Sequence, residues 1–185
     1  MLSFLTAAKF YKMENKKYNV DTDFEFRNVL PDEALQTSEI EYICFTPNEA
    51  CSEKMMVERV NSVPELFLVA VDKATGKIAG FLNGLATDEL LFRDEFFSDA
   101  SLHDPNGQNV LLLGLDVLPE YRGNGLARKI VSLYAEREKA KGRKFLTLTC
   151  VEGKIKMYEK MGFVLRGRSA SVWGGTEWYE MVMTL

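Results

Sequence analysis

Apolar positions recur along this chain at two spacings, and the switches between them outline its elements. Alternation over Phe24–Val29 predicts a first strand. Pro31-Asp32-Glu33 then has the proline and acids of a helix start, and the stripe Leu35, Ile40 and Ile43 carries that helix to about Phe45. Pro47 breaks it, and Ser52-Glu53 opens a second helix through Met55, Met56 and Val60. Leu66–Val71 and Lys77–Ala86, joined by the turn Asp72–Gly76, read as a hairpin. Asp88–Asn109 is polar and reads as a flexible insertion, with a short helix around Glu89–Phe97 and the turn Asp104-Pro105-Asn106-Gly107. Val110–Val117 is continuously apolar, as a strand buried on both faces would be.

A helix from Gly125 to Lys141 follows, with Ile130, Val131, Leu133 and Tyr134 inward. Phe145–Cys150 is a strand, Ile155–Met161 a short helix stopped by Gly162, and Phe163–Arg166 and Glu177–Leu185 are closing strands. The resulting order, β-α-α-β-β-β-α-β-α-β-β, predicts an α/β fold: a mixed sheet of about seven strands with about four helices on its faces.

Composition narrows the class. A chain of 185 residues, 46% hydrophobic and 27% charged, fits one domain with a substantial core. We place that domain at residues 23–185 and an N-terminal arm at residues 1–22. With a net charge of -4 and scattered lysines and arginines, nucleic acid is a poor partner. Lys9 interrupts the apolar opening Met1–Tyr11, which is too short to span a bilayer, so no membrane role is expected. Cys44, Cys51 and Cys150 are odd in number and lack framework spacing, which fits free thiols in a cytoplasmic protein. His103 is the sole histidine, and no metal-ligand spacing is present, so no metal is expected.

Leu115–Arg128 carries the chemistry. A buried strand ends, Pro119 stops it, and Arg122-Gly123-Asn124-Gly125-Leu126-Ala127 leads into an amphipathic helix. Two glycines allow a tight turn whose N–H groups converge at a helix N-terminus, where an anion is favoured. The loop is too short for a Walker A motif and has too few glycines for a dinucleotide fingerprint.

Arg122-x-x-Gly125-x-Ala127 after an apolar strand resembles motif A of the GNAT acetyltransferase superfamily. Met157-Tyr158-Glu159-Lys160-Met161-Gly162-Phe163 resembles that superfamily's Tyr-Glu-Lys-x-Gly-Phe segment. The arylalkylamine (serotonin) N-acetyltransferase branch is similar in further stretches: Glu39-Ile40-Glu41, Pro64–Leu68, Ser101–Gly107, Ser169–Val172 and Trp178–Leu185. The resemblance implies a mostly antiparallel GNAT sheet and acetyl-CoA as co-substrate, wedged between two splayed strands. It assigns the pantetheine to the backbone of Leu115, Asp116 and Val117. The pyrophosphate falls to Arg122, Gly123, Asn124, Gly125, Leu126, Ala127 and Arg128. It further implies direct attack by the primary amine of a small molecule; the chain is expected to act as a monomer or homodimer. Leu111 and Leu113 stand where vertebrate members of that branch carry two histidines, so the proton relay is absent or built otherwise.

Tyr158 matches the family's general acid, and a phenol with an ordinary pKa of about 10 stays protonated at neutral pH. Glu49 sits where a related insect group has a glutamate proposed as base. Glu152, His103 and a water chain are alternatives, and Cys150 matches a cysteine beside the cofactor sulfur. Acetylation of a peptide or protein, and a non-catalytic acetyl-CoA-binding module, remain open as other readings. A lid from Phe45–Glu53 and Glu89–Phe97 would favour a small amine. Phe45, Phe92, Phe96, Phe97, Trp173 and Trp178 are candidates for an apolar wall.

Overall fold

The computed structural model describes residues 17–89 and 91–185. Seven strands form one sheet: β1 (Phe24–Asn28), β2 (Phe67–Asp72), β3 (Lys77–Thr87), β4 (Asn109–Val117), β5 (Phe145–Cys150), β6 (Val164–Arg168) and β7 (Tyr179–Thr184). Their order is β1-β2-β3-β4-β5-β7-β6. Only β4 and β5 run parallel; every other neighbouring pair is antiparallel. The helices are α1 (Ala34–Cys44), α2 (Glu53–Ser62), α3 (Glu95–Ser98), α4 (Leu126–Ala140) and α5 (Ile155–Glu159). The mixed α/β architecture and the strand count agree with the sequence; the fifth helix is the single turn α3.

Punctuation residues set the boundaries. Pro31, Pro64 and Pro119 each begin a short 3-10 turn, where a missing N–H costs nothing. Ser52 caps α2 by accepting a hydrogen bond from the Met55 amide at 3.3 Å.

The core is split by the sheet. One apolar cluster joins α1 and α2 to it through Ile40, Met56, Val60, Phe67 and Phe81. The other packs α4 on the sheet's other face through Leu82, Leu111, Leu126, Ile130 and Tyr134. Every residue of β2 is buried, as a strand covered on both faces must be.

Two expectations fail. Of the stripe Leu35, Ile40 and Ile43, only Ile40 faces the sheet: Leu35 and Ile43 are 58% and 57% exposed, and α1 buries Ala34, Thr37, Ser38 and Glu41 beside Ile40. Residues 34, 37, 38 and 41 lie on one helical face by their three- and four-residue spacing, so the buried face of α1 is largely polar. Nor is the 88–109 segment a loose insertion. Phe92, Phe96 and Phe97 are buried, the Arg143 guanidinium donates to the Pro105 and Gly107 carbonyls, and Asp94 accepts from the Val172 amide at 3.0 Å.

The opening Met1–Tyr11 and the rest of the arm up to residue 16 lie outside the described residues. The remainder of the arm touches the core: the Tyr18 amide donates to Asn124 Oδ1 at 3.2 Å, and Asp21 pairs with Lys129 at 2.7 Å. Among the described residues no helix is long and apolar enough to cross a membrane.

Candidate active site

Parallel pairing between β4 and β5 covers only Asn109–Leu112 against Phe145–Leu148. Beyond it the strands separate, while β4 stays paired with β3 as far as Val117 against Gly80. The edge of β4 facing β5 is therefore left without a strand partner from Leu113 onward. A cavity of about 660 Å³ fills the wedge, lined on one side by Leu113, Gly114, Leu115 and Val117 and on the other by Leu148, Thr149, Cys150 and Val151. That size suits a small-molecule site.

At one end lies the glycine turn. Gly123 and Gly125 have φ of 78° and 86°, backbone that favours glycine. A Cβ on either would meet nothing within 4 Å, so backbone conformation, not protein crowding, requires glycine here. None of the amides of residues 123–128 donates to an acceptor among the described residues. Six consecutive donors at the start of the four-turn helix α4 are thus available to an anion. Gly123, Gly125, Leu126, Ala127, Arg128 and Arg122 line the cavity, whereas the side chains of Asn124 and Asp116 do not. Arg122 is held by its Nε–H bond to the Val117 carbonyl at 2.7 Å. Asn124 instead ties the turn together, its amide donating to the Arg122 carbonyl at 3.1 Å.

Tyr158, on α5, lines the opposite wall with Met157, Met161 and Cys150. Its ring meets Phe163 edge-on at 5.7 Å, and its hydroxyl has no hydrogen-bond partner among the described residues. Burial first, then the nearby Cys150 and Asp116, raises the phenol above its ordinary value, so it stays protonated at neutral pH. Burial likewise pushes Cys150 up to about 11, and its thiol faces the Met181 sulfur at 3.6 Å. All three cysteines are free.

Glu49 also reaches the cavity. Its Oε1 accepts from Thr176 Oγ1 at 3.1 Å, and its carbonyl accepts from Trp173 Nε1 at 2.8 Å. Trp173 stacks on Phe97, centroids 4.9 Å apart. Phe45, Phe97, Trp173 and Trp178 are on the wall, Phe92 and Phe96 behind it. Glu152 and His103 are not on the wall; His103 Nδ1 accepts from the Ala86 amide at 3.1 Å and Nε2 lies 3.2 Å from Glu65.

Sequence reasoning gave no role to Glu41 and Arg59, both buried and both on the wall. The available signal was the spacing of Glu41 from Ala34, Thr37 and Ser38 along α1. Among the described residues no group of three or more His, Cys, Asp or Glu is placed to hold a metal ion.

The acetyltransferase (GNAT) family model matches residues 34–163, which contain the wedge, the glycine turn and Tyr158. The chain belongs to the acetyltransferase (GNAT) family. No curated protein matches it. Among solved structures it is similar to the loading GNATL domain of CurA from Lyngbya majuscula (13% identity, 87% of this chain and 97% of that one, TM-score 0.76). It is also similar to a GNAT phosphinothricin acetyltransferase from Sinorhizobium meliloti in complex with acetyl-CoA (18% identity, 89% of each chain, TM-score 0.64). A third is the GphF GNAT-like decarboxylase in complex with isobutyryl-CoA (16% identity, 86% and 98%, TM-score 0.72). At such identities the likeness is one of fold.

Proposed function

We propose that residues 23–185 form a single catalytic domain that transfers the acetyl group of acetyl-CoA to the primary amine of a small molecule. The observation that carries this reading is the wedge itself, with free amides at one end and a protonated phenol on the wall facing β4. The pyrophosphate would rest on the amides of residues 123–128, beside Arg122 and Arg128. The pantetheine would run along the unpaired edge of Leu115, Asp116 and Val117, whose backbone holds the thioester at a fixed depth.

In this geometry the amine nitrogen forms a bond to the acetyl carbon, and the carbon–sulfur bond breaks. Backbone N–H groups on the free edge of β4 stabilise the oxyanion. Tyr158 donates its proton to the departing thiolate and regains one made available by the amine. Glu49, held by Thr176 at the aromatic end, meets the incoming ammonium. The aromatic wall of Phe45, Phe97, Trp173 and Trp178 supports an acceptor with an apolar or aromatic body, in keeping with the arylalkylamine-like stretches. Segments 45–53 and 89–97 both contribute to that wall, which favours a small amine over a peptide.

The test is a panel of arylalkylamines, polyamines, amino acids and short peptides, read by free-thiol release and by mass of the acetylated product. Acetylation of arylalkylamines above the rest is expected. Acetylation of peptides alone, or acetyl-CoA binding with no turnover on any acceptor, would overturn the reading.

A further inference from the structure

Behind the wedge, α1, α2, β3 and β4 enclose four polar side chains: Glu41, Arg59, Asn83 and Asp116, each at most 4% exposed. They converge on Gly114. A Cβ at that residue would stand 3.0 Å from Asn83 Nδ2, 3.1 Å from Asp116 Oδ2 and 3.3 Å from Glu41 Oε2. The absent side chain makes room for them. Arg59 is spent elsewhere, donating to Asn83 Oδ1 at 3.2 Å and to the Phe97 carbonyl. Glu41 Oε1 accepts from the Cys51 amide at 3.1 Å. That leaves Glu41 Oε2, both Asp116 oxygens and Asn83 Nδ2 without partners although fully buried.

Two carboxylates that face each other in a dry site can bond only through a proton, and both cannot ionise cheaply. The two carboxyls are within hydrogen-bonding reach, and Arg59 supplies a single positive charge. One proton on the pair therefore brings the cluster to neutrality. Of the two, only Glu41 reaches the cavity wall, beside Cys44, Cys51 and Gly114.

We propose that Glu41, paired with a protonated Asp116, is the base that takes the acceptor amine's proton. This rests on the amine-acetylating reading above. Glu41 is then the catalytic residue and Asp116 a positioning residue that acts through it. The ammonium gives one proton to Glu41, the neutral amine attacks the thioester, and the amine's second proton balances the one Tyr158 gives to the thiolate. The proton on Glu41 leaves to solvent through the cavity. Burial raises the affinity of both carboxyls for protons. The other groups facing the pair are Arg59, Cys44, Cys51 and Tyr158, with Arg122 beside Cys44. Both thiols stay neutral, Cys44 pushed up to about 11 and Cys51 to about 12.

Glu41→Gln tests the base. At neutral pH its kcat/KM on a basic alkylamine should fall by roughly 10²–10⁴ and then climb about tenfold per pH unit as the free amine accumulates. With a weakly basic acceptor, already neutral, the deficit should shrink to a few-fold, which a merely structural defect would not do. An undiminished rate, or an equal deficit on both acceptors, overturns the proposal. So does the same pH behaviour in Glu49→Gln and not in Glu41→Gln. The shared proton is tested without turnover by infrared difference spectroscopy at neutral pH. A protonated-carboxyl band lost in Asp116→Asn is expected, and its absence overturns the pair. Should no amine be acetylated by the wild-type protein, the functional reading fails, and with it Glu41's role, while the infrared result still decides the shared proton.

Discussion

Leu112 and Leu148 are the last residues at which β4 and β5 pair, and the cavity opens directly beyond them. On the same strand β4, the next residues pass Gly114, with its carboxyl cluster, and reach the glycine turn through Val117. A single interrupted strand pairing thus gathers the elements of the site.

Gly125→Asp should abolish measurable acetyl-CoA binding, because it brings a side chain and a negative charge toward the phosphates. Gly125→Ala separates the backbone effect. A Cβ there meets nothing within 4 Å, so stability should drop only by the left-handed penalty of roughly 1–2 kcal/mol, while affinity falls tenfold or more. Calorimetric titration and thermal melting of both variants check this.

Tyr158→Phe should lower turnover by roughly 10²–10⁴ and leave acetyl-CoA affinity within a few-fold. Because burial raises the phenol, the wild-type rate should show no falling limb from this group at neutral or mildly alkaline pH. Steady-state rates against pH, on an amine whose chemistry limits the rate, test both statements. Near wild-type turnover would leave Tyr158 as packing against Phe163.

Trp173→Ala removes the stack on Phe97 and the hydrogen bond to the Glu49 carbonyl. KM for an aromatic amine should rise about tenfold, with acetyl-CoA affinity little changed; a change confined to acetyl-CoA would place the tryptophan on the wrong substrate. The magnitude follows from an aromatic pair worth about 0.5–1.5 kcal/mol beyond area burial.

Asp116→Asn should alter how stability depends on pH. A carboxyl raised in the folded state holds its proton there more tightly than in the unfolded chain, so its contribution is full below the unfolded value, 3.8, and is lost as pH rises through the folded value. The melting temperature of the variant relative to wild type should therefore climb as pH is raised from about 5 to about 9. A constant difference would mean that the Asp116 carboxyl carries no proton in the folded state over this range.

Strand and helix placement was legible because long runs such as Val110–Val117 and the Ile130–Tyr134 face leave little ambiguity. The tight turn before α4 was legible too, since Gly123 and Gly125 are needed for their backbone. Glu41 was not. Its meaning depends on which face of α1 meets the sheet, and Leu35 and Ile43 pointed to the wrong one. The order in 88–109 was equally hidden, because Arg143 and Val172, which hold it, are distant in sequence. Local patterns do not record partners brought together by the fold.

The wedge also divides the sheet mechanically. Strands β1 to β4 form one leaf and β5, β7 and β6 the other, sewn together as a sheet by four residue pairs at one end. A molecule lying along the free edge of β4 would act as a second seam. Filling the site would then tighten the whole C-terminal leaf against the rest of the molecule, so that occupancy is felt as stiffness far from any atom the ligand touches.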